Sequence, residues 1–198
     1  MRITGGYLRG RLLRAPIGSA TRPTSSKVRE AIFSIVGDRI VDARVLDLYA
    51  GSGALGIEAL SRGALFAAFV EASPAAVKAI LGNLEDLELD DQAQVLRGSV
   101  THGLERLSRA GERFRLVFMD PPYAGRAAEE TLSATASSGV LAPESLVIVE
   151  HTKRQELSDE FGSLTLVLDR RYGDTMVSVF ACSGGETGRL PAPRVPDS

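Results

Sequence analysis

Val45-Leu46-Asp47-Leu48-Tyr49-Ala50-Gly51-Ser52-Gly53-Ala54-Leu55-Gly56 decides how the rest of the chain is read. It starts as a short apolar run of the kind that forms a strand buried on both faces. An acidic residue and a glycine turn follow, and the pattern over residues 54–62 then predicts an amphipathic helix. Glycine takes positive φ readily and lets a ligand approach the main chain. The first turn of the next helix offers unpaired N–H groups to an anionic part of that ligand. Strand, turn and helix in this order make a nucleotide-cofactor loop. Gly51 to Gly56 also satisfies G-x-G-x-x-G, with Glu71 about 20 residues on as a candidate ribose acid. On the loop alone, a nicotinamide-dependent oxidoreductase stays open.

Two features point elsewhere. Asp47 ends the strand just before the turn, where a dinucleotide needs no carboxylate but a cofactor bearing an ammonium group uses one. Asp120-Pro121-Pro122-Tyr123 closes a later strand. Its prolines fix φ and remove two N–H donors, leaving backbone carbonyls as rigid acceptors at the rim of the sheet. Together with the Asp120 carboxylate they accept both hydrogens of an exocyclic amino group. That draws the nitrogen out of conjugation with its ring and aims its lone pair at an electrophile. Tyr123 offers a face for a flipped base, a stacking contact worth roughly 1–3 kcal/mol.

A chain of 198 residues, 44% hydrophobic and 24% charged, is the size and composition of one soluble domain with a small appendage. No apolar run is long enough to span a bilayer, and residues 1–6 lack a signal-peptide core. A single Cys182 excludes an intrachain disulfide, and no metal cluster is expected. The expectation is a cytoplasmic monomer. Net charge is −2, but residues 1–30 hold Arg2, Arg9, Arg11, Arg14, Arg22, Lys27 and Arg29 against Glu30 alone. A basic segment on an acidic body suits a polyanionic partner.

Residues 1–16 read as a small β-hairpin arm with its arginines outward. Thr24 or Ser25 caps a helix reaching Val36, with Val28, Ala31, Ile32, Ile35 and Val36 on one face. Arg22, Lys27 and Arg29 lie near that helix entrance, where a phosphate gains from both their charge and the helix N-terminus. Strands are predicted at 44–49, 65–71, 93–98, 115–120 and 145–151, and helices at 54–62, 74–87, 100–109 and 126–137. The helix after Ser73-Pro74 presents Val77, Ile80, Leu81 and Leu84 on one face. Regular alternation implies a parallel sheet covered on both sides. Residues 164–170 and 176–181 then form a closing hairpin through Arg171-Tyr172-Gly173-Asp174-Thr175. The fold class is α/β, with a Rossmann-like, seven-stranded, mostly parallel sheet, an antiparallel C-terminal hairpin strand and helices on both faces. A basic arm over 1–23 precedes a main domain over 24–182, and a Gly- and Pro-rich tail over 183–198 reads as disordered.

In such a sheet, ligands bind beyond the carboxyl ends of the strands. Asp47 and Gly51–Gly53, Glu71, Ser99 and Asp120 all fall there. Glu71 suits ribose hydroxyls. Ser99, followed by Val100, suits equally an adenine contact or plain helix capping. His102 reads as a capping or surface residue. His151 ends a strand near the site, with structural and catalytic readings both open. Lys153 and Arg154 extend the basic surface.

Taken together, the glycine loop and D-P-P-Y resemble S-adenosylmethionine-dependent amino-methyltransferases. More narrowly, the chain resembles the RsmD-like 16S rRNA (guanine-N2)-methyltransferases. The likeness reaches to about Ala181 and includes Ile3-Thr4-Gly5-Gly6, Arg9-Gly10-Arg11, Arg22-Pro23-Thr24, Val28-Arg29-Glu30, Glu150-His151 and Tyr172-Gly173-Asp174-Thr175. It implies methylation of the N2 amino group of one guanine in small-subunit ribosomal RNA during assembly. Carried over, Asp47, Gly51 and Gly53 bind the methionine end of S-adenosylmethionine, Glu71 its ribose and Ser99 its adenine, with Tyr49, Ala50, Ser52 and Val100 also in the cofactor site. Asp120, Pro121, Pro122 and Tyr123 hold the guanine. Arg2, Arg9, Arg11, Arg22, Thr24, Lys27 and Arg29 grip RNA. The family usually has an acid where Ser26 stands and commonly Asp where Ser99 stands, so the helix-entrance and adenine contacts depart from its pattern. A DNA adenine-N6 or other amino-methyltransferase is the nearest alternative, and a non-catalytic RNA-binding protein on the same fold is another.

Overall fold

The computed structural model describes residues 1–16, 25–122 and 125–183. Helix α1 (Ser26–Val36) starts at Ser25, whose hydroxyl accepts the Val28 N–H, and buries Val28, Ile32, Phe33 and Val36. Then β1 (Arg44–Leu48), α2 (Ala54–Ser61), β2 (Phe66–Glu71), α3 (Pro74–Asp86), β3 (Ala93–Arg97), α4 (Val100–Arg109), β4 (Phe114–Met119), α5 (Ala127–Ser137) and β5 (Leu141–Thr152) alternate. The chain closes with β6 (Glu160–Phe161), β7 (Leu164–Tyr172) and β8 (Thr175–Cys182). The Leu164–Tyr172 and Thr175–Cys182 strands form the expected hairpin.

One sheet holds all eight in the order β3-β2-β1-β4-β5-β8-β7-β6. Strands β1 to β5 pair in parallel, while β8, β7 and β6 add antiparallel. The eighth strand, beyond the seven expected, is the two-residue β6, too short to show a periodicity. Chain order reverses between β1 and β4, which makes the carboxyl ends of those two strands the switch point. One core lies between the sheet and α1, α2 and α3, and another lies on the opposite face beneath α4 and α5.

Two helices depart from their expected faces. All eight residues of α2 are buried, so it is not amphipathic. The arm covers its outer side: Tyr7 N–H donates to Ser61 O at 2.9 Å, and Leu8 N–H to Ser61 Oγ at 3.0 Å. Gly6 permits that approach, since it sits at φ +79° and a Cβ there would meet Ser61 O at 1.8 Å. Helix α3, capped by Ser73 with Pro74 at its first position, buries Ala76, Ala79, Ile80, Asn83 and Leu84. Leu81 is exposed. The buried stripe runs through a polar residue that the hydrophobic pattern passed over.

The arm is a short antiparallel ribbon, bridged at Arg2 and Leu12, that sends Ile3, Leu8 and Leu13 into the core. Its anchor is Glu58 of α2, which is fully buried. Glu58 pairs with Arg29 Nε at 2.7 Å and Arg62 Nη2 at 2.7 Å, and it also accepts the Thr4 hydroxyl. Burial alone would raise its pKa. The hydrogen bonds from Thr4, Arg62 and Arg29, with the charge of Arg29, outweigh burial and hold it below the usual value.

Candidate active site

The glycine loop leaves β1 through a left-handed turn, with Tyr49 at φ +62°, Gly51 at +57° and Gly53 at +77°. For tyrosine that conformation costs on the order of 1–3 kcal/mol. The Tyr49 hydroxyl is anchored across the site by a 2.6 Å hydrogen bond with Thr131 Oγ1 of α5. Three tethers shape the loop. The Glu71 carboxylate accepts Gly51 N–H at 2.8 Å, Ala50 O accepts Gly53 N–H at 2.7 Å, and Asn83 Nδ2 donates to Ser52 O at 2.9 Å. The last glycine of the motif serves packing instead: a Cβ on Gly56 would come within 2.3 Å of the Phe69 ring.

Beside the loop opens a cavity of about 320 Å³, lined by Tyr49, Val70, Glu71, Ser99, Val100 and Thr131 among others. This is within the usual range for a small-molecule site. The structure thus brings Tyr49, Glu71, Ser99 and Val100 to one hollow. Ser99 is also the cap of α4, accepting His102 N–H at 3.3 Å, so its two readings coexist. Ala50 and Ser52 are largely buried within the turn itself.

Asp47 is buried, and its carboxylate accepts Gly56 N–H at 2.9 Å in the first turn of α2. Burial pushes its pKa up to about 7, the Gly56 hydrogen bond opposes this, and the charges of Asp120 and Glu71 add to the rise. Leu48 pairs with Val70 on one side and with Met119 on the other, so the three acids cluster at neighbouring strand ends. Such a cluster favours a cationic ligand.

Met119 ends β4 opposite Leu48, and Asp120 follows, half-buried, with Pro121 buried and Pro122 exposed. Adjacent strands lie about 4.8 Å apart. The glycine turn and the acidic diproline corner therefore leave the same edge of the sheet side by side. Tyr123 lies outside the described residues, as do Arg22 and Thr24.

Arg2, Arg9, Arg11 and Lys27 are exposed. Arg29 is not: it is 1% exposed, is paired with Glu58, and donates to Arg2 O at 2.6 Å. Its expected place among the RNA-gripping residues is corrected, because a guanidinium sealed under the arm reaches no phosphate. His151 is buried and bridges strands, with Nε2 at 2.7 Å from Ser178 Oγ, which donates to Asp169 Oδ1 at 2.6 Å. Burial lowers its pKa, with the Thr152 carbonyl and the Asp169 charge opposing. This arrangement fits the structural reading.

A family described as Conserved hypothetical protein 95 matches residues 1–181. Relatives include the "Putative rRNA methyltransferase YlbH" of Bacillus subtilis, 37% identical over 93% of this chain and 100% of that one. The "Ribosomal RNA small subunit methyltransferase D" of Escherichia coli K12 is 40% identical over 76% of this chain and 74% of that one. The chain belongs to the RsmD-like methyltransferases. A solved structure, "Putative methyltransferase yhhF from Escherichia coli", superposes with a TM-score of 0.80 at 34% identity, covering 92% of this chain and 97% of that one.

An RsmD-like methyltransferase uses S-adenosylmethionine, and the residues present fit that group. Its sulfonium and ammonium charges suit the cluster of Asp47, Glu71 and Asp120, and its ribose and adenine suit the hollow at Glu71, Ser99 and Val100. Thr131 and Asn83 escaped sequence reasoning. Thr131 sits in a helix with no motif around it. Asn83 had one available signal, its place on the 76-79-80-83-84 stripe.

Proposed function

We propose that this protein methylates the exocyclic N2 amino group of a guanine in 16S ribosomal RNA, on an assembled or assembling small subunit, in the cytoplasm. What carries the reading is the juxtaposition at the switch point, where the glycine turn after β1 and Asp120-Pro121-Pro122 after β4 leave neighbouring strands. The names of the E. coli and B. subtilis relatives support an rRNA substrate. Guanine N2 is what the narrower family resemblance implies, carried by Arg22-Pro23-Thr24, Val28-Arg29-Glu30 and Tyr172-Gly173-Asp174-Thr175, since D-P-P-Y itself serves several bases.

When bound, S-adenosylmethionine supplies an electrophilic methyl group whose transfer leaves a neutral thioether. The Asp120 carboxylate and the diproline carbonyls accept the two amino hydrogens and aim the nitrogen lone pair. Accepting the methyl group would leave a positive charge on the amino nitrogen, beside the Asp120 carboxylate. It then releases one proton, to Asp120 or to water. Alignment and electrostatic stabilisation supply most of the rate, so no strong base is needed. Glu71 and Asp47 orient the cofactor, with the glycine turn shaped beneath it. Arg2, Arg9, Arg11 and Lys27 hold phosphates and position the particle.

The test is Asp120→Ala, assayed by tritium transfer from labelled cofactor to small subunits lacking the mark. Turnover should fall at least about 10²–10³-fold, a far larger loss than that in cofactor affinity. Near-normal turnover would remove Asp120 from the chemistry. Label appearing in duplex DNA instead would support the adenine-N6 alternative.

A further inference from the structure

Asn83 is the polar member of the buried face of α3 and is 1% exposed. An amide placed there destabilises the fold unless its hydrogen bonds are made. They are made to two separate parts of the protein. Oδ1 accepts Arg14 N–H at 2.8 Å, and Nδ2 donates to Arg14 O at 3.1 Å. The side chain thus grips one residue of the arm by both backbone groups, as a neighbouring strand would. Nδ2 also donates to Ser52 O at 2.9 Å, at the apex of the glycine turn. The other end of the arm closes on the same point. Leu13 N–H donates to Met1 O at 2.8 Å, and Met1 Sδ lies 3.8 Å from Ser52 Oγ.

Of these tethers, the one from Glu71 comes from the sheet edge and the one from Ala50 lies within the turn, whereas Asn83, like the Met1 sulfur, joins the turn to the arm. We propose that Asn83 is a positioning residue through which RNA held by the arm orders the cofactor loop, so that small subunits and S-adenosylmethionine bind with positive coupling. This rests on the reading that the arm faces RNA. Phosphates on Arg9 and Arg11 restrain the arm, the Arg14 backbone is restrained with it, and Asn83 passes that restraint to Ser52 between two left-handed glycines. A loop already ordered loses less freedom when the cofactor arrives. By linkage, bound cofactor tightens RNA by the same factor.

The experiment measures the dissociation constant of labelled S-adenosylhomocysteine, which has no methyl group to transfer, by equilibrium dialysis with the protein alone and with the protein saturated by small subunits. In the wild type it falls by about fivefold or more when subunits are present. In Asn83→Ala that fall shrinks below about twofold, and in turnover the loss lies in the KM for S-adenosylmethionine more than in kcat. Asn83→Asp keeps an acceptor for Arg14 N–H and loses both donors, so it serves if the alanine variant does not fold. Asp86→Ala is the control for general loosening of the arm. It removes the Arg14–Asp86 ion pair from the same helix without touching Ser52, and it keeps the coupling. A wild-type dissociation constant unchanged by subunits overturns the proposal, as does full coupling in the Asn83 variants or its loss in Asp86→Ala. If Arg9→Ala and Arg11→Ala leave subunit affinity unchanged, the arm is not the RNA-facing element and the functional reading of the arm fails instead.

Discussion

Glu58 and Asp47 are both buried carboxylates, 0% and 2% exposed, yet their surroundings treat them oppositely. Around Glu58 stand two guanidinium groups and a hydroxyl, and its charge is held firmly. Around Asp47 stand one backbone N–H and the charges of two further acids. Burying a charge costs several kcal/mol unless it is compensated. At Glu58 the compensation is internal, and the result is a joint between arm, α1 and α2. At Asp47 it is left to be supplied from outside, which suits the proposed site for a cofactor bearing sulfonium and ammonium groups and not a structural ion pair.

Breaking the compensated side should have the largest effect. Glu58→Ala leaves Arg29 buried without its counter-charge and should cost roughly 3–5 kcal/mol in urea unfolding. A loss under about 1 kcal/mol would mean that apolar contacts and the hydrogen bonds to Ser61 and Asn83 hold the arm without help from the Glu58 ion pairs. The same pair sets an acid limit. Because the folded pKa of Glu58 lies below its ordinary 4.5, the stability it contributes is present above that value and is lost as pH falls through the folded pKa. Glu58→Gln should flatten that part of the profile.

On the uncompensated side the sign reverses. With a folded pKa of about 7 against an ordinary 3.8, Asp47 makes the free enzyme less stable as pH rises between those values. Asp47→Asn should therefore raise stability by about 1–2 kcal/mol at pH 8 while weakening S-adenosylmethionine binding about tenfold or more. In the wild type, cofactor affinity should improve about tenfold from pH 6 to pH 8 as the carboxylate ionises. Titration calorimetry across that range checks it, and the Asn variant should be flat. The smallest effect belongs to the arm: Arg9→Ala or Arg11→Ala should each lower the salt-dependence slope of RNA binding by about 1.

Much of this fold was legible because its elements are locally consistent. Ser25, Ser73-Pro74 and Ser99 announce their helices, and the apolar runs of β1, β2 and β4 announce buried strands. What local pattern could not show was which faces a distant segment would cover. Helix α2 looked amphipathic because its polar Glu58 and Ser61 belong to an interface with the arm, some fifty residues earlier in the chain. The same ambiguity hid Arg29, whose charge suits a phosphate as well as a buried carboxylate. Side-chain charge is visible in a sequence; its partner is not. The placement of Gly51, Glu71 and Asp120 side by side was legible because the carboxyl ends of neighbouring parallel strands meet whatever packs elsewhere.

The most direct test uses small subunits lacking the modification, incubated with the purified protein and S-adenosylmethionine, followed by mass spectrometry of the nucleosides of their 16S rRNA. The account predicts one new N2-methylguanosine at a single position. A methyl group on adenine N6 or on a ring nitrogen, or no methyl group at all, would contradict it.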